Sequence, residues 1–317
     1  MLALKSIVLM IAGFAILIKG ADFFVDGASG VAERFHIPQI IIGLTIVAFG
    51  TSAPEAAISI SAALSGTTGI AIGNILGSNL LNILVILGIS ASIVPLHIGR
   101  SSIKFDIPFN ILITVALVFF GVVLGKLNVF TGIAFWILMI LFMVHLFRTA
   151  KSEMDRGEAQ EEPKKKKNIF LLVLYIIGGL AAIILGSDLA VDNATIIASD
   201  ILHIDDRLIG LTIIALGTSL PELMTSVMAA RKGNADIAVG NILGSNIFNI
   251  LFVLGTVSLI APVDFSMSFV IDGFISIAVV FLLYFLSKDD DTLSRRDGIT
   301  FLACYGVYFV YLIVTQM

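Results

Sequence analysis

Residues 43–55 read GLTIVAFGTSAPE, and residues 210–222 read GLTIIALGTSLPE. A second pair of blocks follows, GNILGSNLLNIL at 73–84 and GNILGSNIFNIL at 240–251. At a fixed offset of 167, 28 of the 46 positions from Gly43 to Gly88 are identical in Gly210 to Gly255. Upstream, GADFFVDGA at 20–28 matches GSDLAVDNA at 186–194 at an offset of 166. The identities fall on polar and small residues, which an apolar composition would not match by itself, so the chain is read as an internal duplication.

The medium of this duplication follows from composition. Of 317 residues, 58% are hydrophobic and 13% charged, against about 25% charged in soluble domains. A spanning helix needs about 20 mostly apolar residues. Such runs cover approximately 6–30, 37–64, 70–94, 105–125, 127–148, 168–199, 205–230, 236–260, 266–287 and 297–315. In lipid a backbone must satisfy its own hydrogen bonds, and the alternation of a barrel strand is absent, so an all-α membrane protein of ten transmembrane helices is predicted. The first run, from Ile7 to Ile18, has only Lys5 before it and no clear cleavage site after it, so it is read as a retained helix. The single Cys304 excludes an intrachain disulfide, the four histidines have no metal-type spacing, and no basic stripe points to nucleic acid.

Residues 149–167 (TAKSEMDRGEAQEEPKKKK) form a charged linker with five carboxylates and six Lys or Arg. It divides the chain into a first five-helix repeat, 1–148, and a second, 168–317. Placing the linker in the cytoplasm puts fifteen positive residues inside, including Arg34, Arg100, Lys232 and Arg295, and three outside, Lys5, Lys126 and Arg207. That is the positive-inside pattern of a multi-pass protein of the cell (inner) membrane, with both termini outside. Five helices per half is an odd number, so the second repeat enters the membrane from the opposite side. Inverted repeats are characteristic of secondary transporters with midplane sites.

Glu55 and Glu222 sit in the middle of the apolar second and seventh spans. A charge at the bilayer centre costs at least about 2.5–3.5 kcal/mol, and no Lys or Arg lies at comparable depth in the matched helices. A bound cation or a proton is the remaining compensation. Gly50 and Pro54 flank Thr51 and Ser52, and Gly217 and Pro221 flank Thr218 and Ser219. Proline removes a donor and glycine permits unusual dihedrals, so spans two and seven are predicted to be broken here. The carbonyls of Ala48, Thr51, Ala215 and Thr218 are the candidates to be freed. Asn74, Ser78 and Asn82 recur every four residues on one helical face, as do Asn241, Ser245 and Asn249. Gly73, Gly77, Gly240 and Gly244 let these helices approach neighbours closely. The inventory is one of hard oxygen ligands, suited to calcium, with hydroxyl and carbonyl subsites for sodium. An intramembrane hydrolase using Ser52 or Ser219 lacks a nearby Lys or His as base, so no enzyme is expected.

The paired G-T-S-x-P-E and G-N-x-x-G-S-N blocks resemble the sodium/calcium exchanger family of the cation/calcium antiporter superfamily, in its prokaryotic type. The resemblance implies ten helices and alternating access by sliding of helices one and six against the core, with sodium and calcium competing for overlapping sites. Carried over, Glu55 and Glu222 with the Thr51 and Thr218 carbonyls would bind calcium. Ser52, Ser78, Ser219, Ser245 and the Ala48 and Ala215 carbonyls would join sodium subsites, and Asn82 matches a family amide. Asn249 stands where some members carry aspartate, which leaves proton/calcium exchange or potassium-dependent exchange as the alternatives. Asp22, Asp26, Asp188 and Asp192 are placed near the ends of spans one and six, either lining access paths or capping water-facing helix ends. The expected partners are calcium and sodium ions and the lipid bilayer, with no cofactor and a functional monomer.

Overall fold

The structure, a computed structural model, describes residues 2–156, 168–198 and 215–316. Within them, eight helices are long and apolar enough to cross a bilayer, or nine if one bent pair counts as a single span. In chain order the helices are α1 (Leu2–Phe35), α2 (Gln39–Thr51), α3 (Ala53–Leu64), α4 (Thr68–Ile93), α5 (Ser102–Leu124), α6 (Val129–Arg156), α7 (Ile169–Ile196), α8 (Ala215–Thr218), α9 (Leu220–Arg231), α10 (Ala235–Ile260), α11 (Met267–Ser287) and α12 (Arg295–Gln316). The start of the predicted seventh span and linker residues 157–167 lie outside the described residues.

Local chemistry sets the boundaries. α1 outlasts the predicted 6–30 and ends where His36 takes a left-handed φ of 53°, two residues before Pro38. Among the described residues α6 runs eight residues into the expected linker, because Ala150 to Arg156 are mostly good helix formers. α3 and α9 both end at a glycine in the left-handed region, Gly66 at φ 79° and Gly233 at φ 80°. These two glycines are repeat counterparts, and a side chain would be strained at either.

α4 and α10 form the core of the bundle. Their apolar windows are 78% and 94% buried, whereas those of α1, α5, α6, α7, α11 and α12 are only 17–39% buried. The outer helices turn large apolar side chains outward, among them Phe119, Phe130, Phe147, Phe170, Phe274 and Val307, as a lipid-facing surface requires. Two short strand pairs tie the ends of the bundle: Leu96–His97 against Thr292–Leu293, and Lys126–Leu127 against Val263–Asp264, both antiparallel. The first pair lies where α5 begins and α11 has ended; the second lies where α5 has ended and α11 begins. These corresponding helices of the two repeats therefore run side by side in opposite directions.

α1 and α7 pack as a second antiparallel pair with their backbones in contact. A Cβ on Gly186 would stand 2.5 Å from the Leu17 nitrogen, and one on Gly179 would stand 2.6 Å from the Phe24 nitrogen. Gly13, Gly20 and Gly27 meet α7 in the same way from the other side, at a spacing of seven residues. Small residues permit such approach between membrane helices.

Candidate functional site

The first repeat's broken span is observed directly. α2 and α3 meet at an angle of 50°, with Ser52 leaving the helical region at φ −84°, ψ 7°. Ser219 has nearly the same dihedrals, φ −91° and ψ 4°, between α8 and α9. Proline explains both breaks: Pro54 and Pro221 have no N–H to offer the carbonyls four residues back, those of Gly50 and Gly217. The Gly217 carbonyl takes a hydrogen bond instead from the Ser187 hydroxyl of α7, at 3.0 Å. The sequence reading places the freed carbonyls at Ala48, Thr51, Ala215 and Thr218. Ala48 in fact accepts the Ser52 N–H at 3.0 Å and also lies 3.5 Å from the Thr51 hydroxyl, so it is not a freed carbonyl. The side-chain surroundings of Ala215 lie outside the described residues.

Beside the breaks, Glu55 and Glu222 are each 1% exposed. Their carboxyl groups lie close enough to repel one another when both are ionised. Ser52 crosses between repeats to donate to Glu222 Oε1 at 2.8 Å. Ser78, Ser219, Ser245, Asn82 and Asn249 are also buried, Thr51 fully so and Thr218 partly. Several oxygens in this cluster have no protein hydrogen-bond partner among the described residues: Oε2 of both glutamates, Oδ1 of Asn82 and Asn249, and Oγ of Ser219 and Ser245. A buried oxygen without a donor is costly. A cation or protons would satisfy such oxygens.

Two residues of the expected oxygen-bearing face have another task. Asn74 donates to Ser59 Oγ at 3.0 Å and to the Glu55 carbonyl at 3.4 Å. Asn241 does the same to Ser226 Oγ at 2.9 Å and the Glu222 carbonyl at 3.4 Å, and its own Oδ1 lies 3.0 Å from the Thr51 hydroxyl. These amides stitch the glutamate helices to α4 and α10. The glycines of α10 serve a different contact, with α2 of the other repeat: a Cβ on Gly240 would sit 2.7 Å from the Ile40 carbonyl oxygen, and one on Gly244 would sit 2.7 Å from that of Leu44. A Cβ on Gly77 meets no described atom within 4 Å.

Sequence periodicity missed the π-helical turns. Gly43–Val47, Asn82–Leu87 and Asn249–Leu254 are all π-helical. Two of them begin at the candidate ligands Asn82 and Asn249. Such turns often mark functional positions because the wider ring displaces backbone and side chain from the α-helical face.

The aspartates of the first and seventh helices are placed differently from one another. Asp22 and Asp26 lie within α1 and not at its end, and Lys232 reaches both, at 2.6 and 2.8 Å. Partial burial disfavours the charged ammonium, but hydrogen bonds to both aspartates outweigh it and raise the Lys232 pKa above the ordinary lysine value. Their counterparts Asp188 and Asp192 line a cavity of about 170 Å³ that reaches Pro54, Gly217, Thr218 and Pro221. Among the described residues, neither makes an ion pair. The repeat counterpart of Lys232 is Ser65.

Comparison with known proteins gives the same reading. The family profile described as "Sodium/calcium exchanger protein" matches residues 5–148 and again 171–314. The sodium/calcium exchanger MaX1 of Methanosarcina acetivorans is 32% identical over 357 aligned positions, covering 97% of this chain and 98% of that protein. The inner membrane protein YrbG of Escherichia coli is 40% identical, covering 82% of this chain and 81% of its own. Among solved structures, the sodium-calcium exchanger NCX_Mj, soaked without sodium or calcium, superposes with a TM-score of 0.83 at 32% identity, covering 98% of this chain and 99% of that one. The chain belongs to the sodium/calcium exchanger protein family, as a multi-pass membrane protein of cation/calcium antiport.

Proposed function

We propose that the chain exchanges sodium for calcium by alternating access, at a midplane site to which two inverted five-helix repeats contribute equally. The observation that carries this is the set of partnerless buried oxygens on two repeat-related pairs, Glu55 with Glu222 and Asn82 with Asn249, together with the Ser219 and Ser245 hydroxyls. Calcium takes 6–8 oxygen ligands in flexible geometry, and two carboxylates balance its charge. The Thr51 and Thr218 carbonyls join the two glutamates for calcium, and the hydroxyls of Ser52, Ser78, Ser219 and Ser245 with the Ala48 and Ala215 carbonyls suit sodium, so both cargoes compete for one charge of minus two. Asn249 keeps that charge from becoming minus three. The opposed directions of α5 and α11 support the inversion, and the two separate matches of the family profile support the division at the linker.

The α1–α7 pair, packed backbone to backbone, is suited to slide as one body across the core. The Lys232 ion pair holds it on the linker face, while the cavity at Asp188 and Asp192 opens the opposite face toward Thr218 and Pro221. Arg100 pairs with Asp291 at 2.9 Å on the linker face, in keeping with a cytoplasmic linker and both termini outside. The monomer contains both halves of the site, so it suffices for transport. Purified protein in liposomes tests the coupling. An imposed sodium gradient is expected to drive calcium uptake, and uptake driven by a pH gradient but indifferent to sodium would replace sodium by protons as the counter-ion.

A further inference from the structure

Asn79 and Asn246 are repeat counterparts at the contact of α4 with α10, 6% and 1% exposed. Each donates its side-chain Nδ2 to the other's backbone carbonyl, both at 3.3 Å. Each also receives a donor on its Oδ1. Asn249 Nδ2 donates to Asn79 Oδ1 at 3.1 Å, and Asn82 Nδ2 donates to Asn246 Oδ1 at 2.9 Å. From this crossed arrangement we infer that Asn79 and Asn246 are positioning residues, which fix the amides of Asn82 and Asn249 so that they present oxygen, and not NH2, to the cation.

The logic is directional. An amide has an acceptor end and a donor end of nearly the same shape, so either can face a site unless something distinguishes them. A backbone carbonyl only accepts, so the Asn246 carbonyl obliges Asn79 to point its NH2 toward it. The Oδ1 of Asn79 then faces Asn249 and demands a donor, which Asn249 supplies with its own NH2. Reversing Asn79 would set oxygen against oxygen at the Asn246 carbonyl and NH2 against NH2 at Asn249. The mirror chain runs from the Asn79 carbonyl through Asn246 to Asn82. Both chains end on a buried oxygen without a protein partner, Oδ1 of Asn249 and Oδ1 of Asn82. Neither amide can turn its NH2 to the site without losing its bond to Asn79 or Asn246 and setting oxygen against oxygen there. The pair also links the two repeats, since each half's ligand is oriented by the other half's asparagine.

This inference rests on the reading of Asn82 and Asn249 as cation ligands. Removal of partners that orient a metal ligand commonly costs about 10–100-fold in affinity. The test measures calcium binding to purified protein with radioactive calcium, which needs no counter-ion. Asn249→Ala, Asn79→Ala and the double variant are compared. Each single change is expected to weaken calcium binding by about tenfold or more, and the double variant is expected to bind no worse than about twofold below Asn249→Ala. In liposomes, Asn79→Ala should raise the calcium KM with kcat changed less. Should Asn79→Ala not fold, Asn79→Thr keeps most of the volume but has a hydroxyl that donates or accepts, and the same weakening is expected; Asn246→Ala with Asn82→Ala repeats the cycle in the other half. If Asn249→Ala binds calcium normally, the ligand reading fails and this inference with it. If Asn249→Ala is weakened while Asn79→Ala binds normally, or if the two losses multiply, the positioning role alone is overturned.

Discussion

The asparagine framework at the centre of the molecule makes the same bonds in both repeats, although Ser52 donates to Glu222 while its counterpart Ser219 has no protein partner among the described residues. At the entrances the repeats differ further. Asn74 and Asn241 reach their serines at 3.0 and 2.9 Å and the glutamate carbonyls at 3.4 Å in both halves, and the asparagine cross is equal at 3.3 Å. In contrast, Asp22 and Asp26 are held by Lys232, whereas Asp188 and Asp192 make no ion pair among the described residues; both sides border a cavity, of about 340 Å³ at Asp22 and Lys232 and about 170 Å³ at Asp188 and Asp192. A centre that must hold one cargo from either side has reason to be symmetric. Under the alternating access proposed above, the entrances must differ at any moment, because one is closed while the other is open. Part of that difference is written in the sequence, as Lys232 in one half and Ser65 in the other, and Ser187 in one half with Ala21 in the other.

The most severe way to break the symmetric centre is to remove its charge. Glu55→Gln with Glu222→Gln should lower calcium flux by at least about a hundredfold, since about 2.7 kcal/mol of lost stabilisation is already that factor; calcium uptake into liposomes is the measurement, and flux at the normal rate would refute the site assignment. Next, Gly186→Leu puts a side chain where a Cβ already lies 2.5 Å from backbone. It should separate α1 from α7, destabilising the fold by about 1–3 kcal/mol or more and cutting transport further than it cuts the folded yield on size-exclusion chromatography. Unchanged flux would show that the two helices need not stay in backbone contact. The mildest change acts on the asymmetry itself. Lys232→Ser makes the linker-face entrance resemble the other, and a cysteine placed at Met228, which lines the cavity beside Asp22 and Lys232, should then react several-fold faster with a charged thiol reagent in a Cys304→Ser background. An unaltered rate would mean that the ion pair does not hold that entrance.

Much of the centre was legible in the sequence. The duplicated G-T-S-x-P-E blocks located both breaks, because proline and glycine act on the backbone wherever they stand. The two glutamates stood out because an unpaired charge in an apolar run is costly whatever its surroundings. What escaped is whatever depends on partners. The four-residue spacing put Asn74 and Asn241 on the oxygen-bearing face, yet their donors are committed to Ser59 and Ser226. Asn79 and Asn246 were visible only as part of a repeated block, since their bonds cross between segments 167 residues apart. The π-turns at Asn82 and Asn249 leave no mark in a pattern read at α-helical pitch. The Lys232 pair joins two residues 210 apart in sequence, and its partner Asp22 lies well inside a helix that runs on to Phe35.

Calcium uptake by liposomes containing the purified chain, driven only by an outward sodium gradient, tests the central claim most directly. Uptake is expected in the intact protein, abolished when the sodium gradient is collapsed and lost in Glu55→Gln with Glu222→Gln. Uptake that ignores sodium, or that survives the loss of both carboxylates, would contradict sodium/calcium exchange at this site.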